Sequence, residues 1–327
     1  MKITNLIKKN QDSQHHEDFS LDVIAGLSAQ PKAISAKYFY DDIGSELFQK
    51  ISQHPDYYPT KTEFSILQSI ANKIPTIINE LEIDIIELGA GDGHKSKLII
   101  EGFLDKGCQV NFYPIDISEK AMQLLGEHLS VNENLHTHGV VADYLKGLNH
   151  LKKISGNKKL VLFLGSNIGN LTKEQSHNFL NNLRSSLNAA DYMLIGFDLI
   201  KDPGILNKAY NDADGLTKAF NLNLLSRINN ELGGDFDISE FQHYGFYNPT
   251  QATMESYLIS LTDQDISIAT SDKIFHFEQF EAMHLEYSHK FSPSDITHLA
   301  SDIGFDVTQL FSDKKNYFID ALWQVKA

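Results

Sequence analysis

The chain has 327 residues, enough for two modest domains or one large one, and its 42% apolar content can fill a core. A net charge of −15 with no Lys/Arg cluster argues against a nucleic-acid partner, whose phosphates require local positive charge. The single Cys108 excludes an intrachain disulfide framework and any CxxC metal pair.

Residues 1–20, "MKITNLIKKNQDSQHHEDFS", lack the apolar core of a secretory signal and read as polar and loosely held. No apolar run of membrane-spanning length (about 18 residues or more) follows, and no lipidation motif closes the chain. The expectation is a soluble, cytoplasmic protein with no membrane or nucleic-acid partner. Its oligomeric state is open, a monomer being one option.

Beyond residue 20, short helical runs are broken at Pro31, Pro55 and Pro59. An amphipathic helix is expected to start near Thr62, capped by Thr60 or Thr62, with Phe64, Leu67 and Ile70 at helical spacing. From 84 the chain alternates strands and helices. The strands are "DIIELGA" (84–90), "VNFYPIDIS" (110–118), "NLHTHGVVAD" (134–143), "KKLVLFLGSN" (158–167) and "DYMLIGFDLI" (191–200). Between them lie "SEKAMQLLGEHL" and "TKEQSHNFLNNLRSSLN", the latter capped by Thr172 with Phe179, Leu180, Leu183 and Leu187 on one face. This is an α/β pattern: a mainly parallel sheet with helices on both faces. Residues 201–283 break that rhythm, and the C-terminal end resumes it with a helix and two strands. The division expected is 61–200 plus 287–327 as a cofactor domain, and 1–60 plus 201–286 as a second, substrate-binding domain.

Gly89, Gly91 and Gly93 follow a strand and open a helix, so backbone can approach a ligand there. The spacing fits neither G-x-G-x-x-G nor a Walker A loop, and a packing turn explains such a loop about as often. The next strand ends on Asp116, placed for the two hydroxyls of a ribose, and the one after it on Asp143, beside an aromatic Tyr144 suited to flank a base. Each Asp alone is explained by a turn or helix cap about one time in three. Together they describe an adenosine site without a pyrophosphate, which favours S-adenosylmethionine over a nicotinamide dinucleotide.

Six stretches carry a family resemblance: "KYFYDDIGSELFQKISQHPDYYPTKTE", "ELGAGDGHKSKLI", "FLGSNIGNLT", "FDLIKDP", "AYNDADGLTKAFNLNLLSRINNELGGDFD" and "LEYSHKF". The chain resembles the histidine-specific S-adenosylmethionine-dependent methyltransferases, whose best-known member trimethylates the α-amino group of L-histidine in ergothioneine biosynthesis. The resemblance implies a class I Rossmann-like methyltransferase sheet, S-adenosylmethionine as cofactor and a small amino acid as partner. It implies cofactor contacts from Gly89, Gly91, Lys95, Asp116, Asp143 and Tyr144. Substrate contacts would come from Tyr40, Tyr57, Gly165, Asn170, Tyr210, Glu286 and Ser288, with Asn170 and Tyr210 at the α-carboxylate and Glu286 and Ser288 at the imidazole. Tyr40, Tyr57 and Asn170 are the candidate catalytic positions, acting by orientation and not as an obligatory base. Leu164, Asn167, Ser256 and Leu285 depart from the family pattern, the last two where they would line a side-chain pocket.

The chemistry of the residue types is compatible. An ionised Glu286 accepts from a ring N–H, and Ser288 takes either role at the other nitrogen; an edge-strand carboxylate and a local turn cap are the plainer explanations. His54, His94 and His284 have no metal-ligand spacing, and His94 reads as a cap of the cofactor helix. Two alternatives stand beside N-methylation of histidine: another aromatic or imidazole-bearing acceptor, and a non-catalytic cofactor-binding protein.

Overall fold

The computed structural model describes residues 1–7, 11–89, 91, 93–117, 122, 125, 126 and 132–326, and divides into two compact units. The first comprises Met1–Lys8, Lys61–Ile200 and Phe291–Ala327; the second comprises Lys9–Thr60 and Lys201–Lys290.

The first unit is built on an eight-stranded sheet. Its strands, numbered along the chain, are β1 (Lys2–Asn5), β2 (Glu82–Leu88), β3 (Gln109–Asp116), β4 (Leu135–Val141), β5 (Lys159–Phe163), β6 (Tyr192–Asp198), β12 (Phe305–Ser312) and β13 (Phe318–Val325). The order is β1-β4-β3-β2-β5-β6-β13-β12, and only β13 runs against the rest. Successive apolar side chains alternate between two cores. In β2, Ile83 and Ile85 enter one, and Ile86 and Leu88 the other. The first core is closed by helices α3 (Tyr58–Ile70, whose residues from Lys61 belong to this unit), α4 (Ile74–Ile78) and α5 (His94–Asp105). The second core is closed by α6 (Tyr144–Ile154), α7 (Lys173–Ser185) and α10 (Pro293–Asp302). Strands that are apolar on both faces must be covered on both, which makes this a three-layer α/β unit. Thr172 and Gln175 form a capping box on α7, and Leu180 and Leu183 are fully buried.

Chain order steps outward from β2 in one direction through β3 and β4, and in the other through β5 and β6. The crevice outside the C-terminal ends of β2 and β5 is therefore the topological switch point, where open sheets bind ligands.

The second unit holds α1 (Gln11–Ser28), α2 (Asp42–Gln53), α8 (Pro203–Tyr210), α9 (Leu216–Leu232) and two antiparallel sheets. The larger sheet has the order β11-β8-β7, with β7 at Phe241–Asn248, β8 at Thr253–Ser260 and β11 at Ala282–His289. The smaller pairs β9 (Gln264–Ser267) with β10 (Ile274–Phe277). A third core, including Phe19, Phe39, Leu224, Leu258 and Phe277, belongs to this unit alone.

Several expectations need correction. The first residues are not loose: β1 pairs in parallel with β4, Lys2 opposite His138 through Asn5 opposite Val141, and α1 follows from Gln11. The N-terminal strand thereby joins the sheet unit, whereas Tyr287–Lys290 fall in the second unit because β11 runs to His289. Helix α3 starts at Tyr58, not near Thr62, because proline is tolerated in a first turn whose N–H groups lack intrahelical partners. Its residue Phe64 stays 37% exposed, and the inward face carries Glu63, Leu67 and Ile70 instead. The helix expected at "SEKAMQLLGEHL" lies outside the described residues apart from Met122, Leu125 and Gly126.

Candidate active site

In the first unit, β2 ends at Leu88 and the chain turns through Gly89 and Gly91, with φ of +73° and +52°, a region that favours glycine. Gly89 has a second requirement. A Cβ there would lie 2.7 Å from the Tyr144 hydroxyl. Helix α5 is opened by Gly93 with no side-chain cap, so His94 is its first residue and not its cap. Asp116 closes β3, and its backbone carbonyl accepts from the Ala142 N–H at 3.0 Å. Burial, reinforced by the negative charges of Asp116 and Glu87, pushes the Tyr144 hydroxyl up to about 12. Gly89, Asp116 and Tyr144 are thus neighbours. Asp143 is exposed and caps α6, accepting from the Lys146 N–H at 2.9 Å.

Lys95, on the first turn of α5, donates to Glu63 Oε2, while Glu63 Oε1 accepts from the Gly165 N–H at 2.6 Å. One carboxylate therefore ties α3 both to the cofactor helix and to the turn after β5. Burial works against the Lys95 charge, but Glu63, with Asp320 and Glu87 beyond it, holds the ammonium above the ordinary lysine range. Asp320 on β13 is fully buried, and neither oxygen has a hydrogen-bond partner among the described residues. Burial, then the nearby Glu63, drives its carboxyl well above the usual range, with Lys95 opposing. Asn170 ends a 3-10 turn (Asn167–Asn170) just after β5 and is partly buried.

In the second unit, an aromatic series gathers the tyrosines. Tyr40 packs edge-on against Phe48 and Phe220 at 5.5 and 5.6 Å, Phe48 meets Tyr57 at 6.2 Å, and Tyr57 meets Tyr210 at 6.4 Å. The Tyr210 hydroxyl donates to Ser288 Oγ at 2.7 Å, and Lys290 Nζ donates to both, at 3.0 and 2.8 Å. The resemblance sends Tyr210 and Ser288 to opposite ends of a substrate; here their hydroxyls touch. Glu286, two residues before Ser288 on β11, pairs in register with the buried Ser256 of β8, and Leu285 is buried where the register shifts. Burial pushes the Glu286 carboxyl up to about 7, with Lys290 pulling the other way.

Sequence reasoning did not single out Glu63, Asp320 or Lys290. Glu63 had a signal, since it falls at i, i+4 and i+7 with Leu67 and Ile70 on the apolar side of α3. Asp320 interrupts an apolar strand, and Lys290 lies inside "LEYSHKF". Among the described residues, no group of three or more His, Cys, Asp and Glu is arranged to hold a metal ion. No helix among them is long and apolar enough to cross a membrane.

A mainly parallel sheet whose left-handed glycine turn and acidic neighbouring strand end meet at the switch point has the architecture of a nucleoside-cofactor α/β enzyme. Residues 19–325 match the family model described as "Histidine-specific methyltransferase, SAM-dependent", and the chain belongs to that family. It is an S-adenosylmethionine-dependent methyltransferase. Among curated proteins, it is 35% identical over 299 residues to a histidine N-alpha-methyltransferase of Mycolicibacterium smegmatis, covering 91% of this chain and 92% of that one. The enzyme of the same name from Mycobacterium tuberculosis is 34% identical, over 84% and 85%. A 4-dimethylallyltryptophan N-methyltransferase of Claviceps purpurea is 28% identical over 62% of each chain.

Proposed function

We propose that this protein methylates the α-amino group of L-histidine. The observation that carries the reading is the pair Glu286 and Ser288, which share one face of β11 because side chains two apart on a strand point the same way. A carboxylate and a hydroxyl so placed complement an imidazole, which offers one N–H and one lone pair. The names of the two mycobacterial relatives support the same acceptor.

The residues of the first unit fit the cosubstrate. Asp116 offers a carboxylate for the ribose hydroxyls, Gly89 and Gly91 let backbone approach, Asp143 and Tyr144 border the base, and Lys95 offers its ammonium to a carboxylate. S-adenosylmethionine supplies the methyl group and a neutral thioether leaving group. The protein's task is to place a neutral amine nitrogen in line and to exclude water, with the ammonium proton lost to solvent. Tyr40 and Tyr57 orient that amine. Nothing in this chemistry needs a covalent intermediate on the chain.

A second acceptor class has one observation in its favour. Ser256, directly opposite Glu286, has a small side chain, and the Claviceps relative is named for an acceptor with a larger aromatic ring. Mass spectrometry of an amino-acid pool incubated with protein and cosubstrate identifies the acceptor. Steady-state kinetics should then rank histidine at least about tenfold above phenylalanine, tyrosine and tryptophan in kcat/KM. Equal or better turnover of tryptophan would replace the first reading by the second.

A further inference from the structure

We propose that Lys290 sets the acceptor specificity, by holding Ser288 as a hydrogen-bond donor toward the substrate ring. The inference rests on the histidine reading above and deepens it.

A serine hydroxyl ordinarily rotates to donate or accept as its partner requires. Ser288 has lost that choice. It is 5% exposed, and its oxygen accepts from the Tyr210 hydroxyl at 2.7 Å and from Lys290 Nζ at 2.8 Å. Those two bonds occupy both lone pairs, so its own hydrogen must be given to a third group. Lys290 is the member that fixes the direction, because an ammonium only donates. Its second bond, to Tyr210 Oη at 3.0 Å, fills an acceptor site on the tyrosine and leaves the phenolic proton for Ser288. Lys290 is itself 4% exposed, so solvent offers little competition.

The consequence is a fixed polarity along β11, with Glu286 accepting and Ser288 donating. A neutral imidazole answers both, through its N–H and its bare nitrogen. An indole answers only Glu286, since its nitrogen donates and has no lone pair to offer. A phenyl ring answers neither. Whatever the size of the ring, a buried donor left without a partner penalises one that has no lone pair to offer. Lys290 thereby separates imidazole from indole without touching the substrate.

The test is a double-mutant cycle on histidine kcat/KM with the full-length protein: wild type, S288A, K290M and S288A/K290M. If Lys290 acts through Ser288, each single variant loses about tenfold and the double variant loses no more than S288A. K290R, which keeps the charge and the donors, should restore most of the loss. Thermal unfolding followed by circular dichroism, with a midpoint unchanged across the set, shows that each variant is folded. Should the methionine variant not fold, K290Q takes its place, because an amide can also accept and so releases the fixed direction. Losses that multiply in the double variant would overturn the inference and leave histidine as substrate. Absence of histidine turnover in the wild type would overturn both readings together.

Discussion

Glu286 sits on an edge strand with its carboxyl held near 7, so at pH 8 it is ionised against the preference of its surroundings. A carboxyl whose folded value is raised contributes stability below its unfolded value, and that contribution is lost as pH rises through the folded one. E286Q should therefore be more stable than the wild type at pH 8, by on the order of 1–3 kcal/mol, with the difference closing toward pH 5. The same change should erase at least about tenfold of the preference for histidine over phenylalanine. Urea unfolding at the two pH values, with parallel kinetics, checks both halves; a variant no more stable at pH 8 would remove the enclosed carboxylate from the account. Glu286 and Ser288 are candidates from residue chemistry and from the family resemblance, and their place at the substrate remains the proposal made above. Glu63, Asp320 and Lys290 were not legible, because a charged side chain in a sequence reads as solvated until the groups packed around it are known.

At the scale of elements, α3 depends on a residue in the strand beneath it. Gly196 lies opposite Asp320 in the β6–β13 register, and a Cβ there would collide with Glu63 Oε1 while pressing on the Phe318 ring at 3.0 Å. Glu63 is fully buried with both oxygens engaged, so it has little freedom to withdraw. G196A should cost roughly 1–3 kcal/mol of stability as an overpacked site. It should also weaken S-adenosylmethionine binding severalfold, by disturbing Lys95 and the Gly165 turn together. A calorimetric dissociation constant equal to that of the wild type would show that cofactor binding does not depend on the Glu63 link. The strands of this sheet were legible because a double-sided core imposes continuous apolar runs. The start of α3 was not, since Pro59 read as a break when it lies within the first turn. Strand β1 was missed for a different reason: four residues, "KITN", carry too little pattern, and their state is decided by the open edge of β4.

For the whole molecule, the buried carboxyl of Asp320 matters in a chain that already carries a net charge of −15. Its folded value is raised, by burial first and by Glu63 second, so ionisation at neutral and alkaline pH opposes the folded state. D320N should raise the midpoint of thermal unfolding at pH 9 and differ little from the wild type near pH 4. A gain of the same size at every pH would assign the effect to packing.

Strand β1 brings time into the account. Thr4 Oγ1 meets His138 Nε2 at 2.7 Å across 134 residues of chain. At ribosomal rates of about 5–20 residues per second, β1 waits on the order of ten seconds for β4 to be synthesised. Until then the outer edge of the growing sheet is an unpaired ladder, the kind of surface that recruits other chains. The strand made before its neighbours is placed after them.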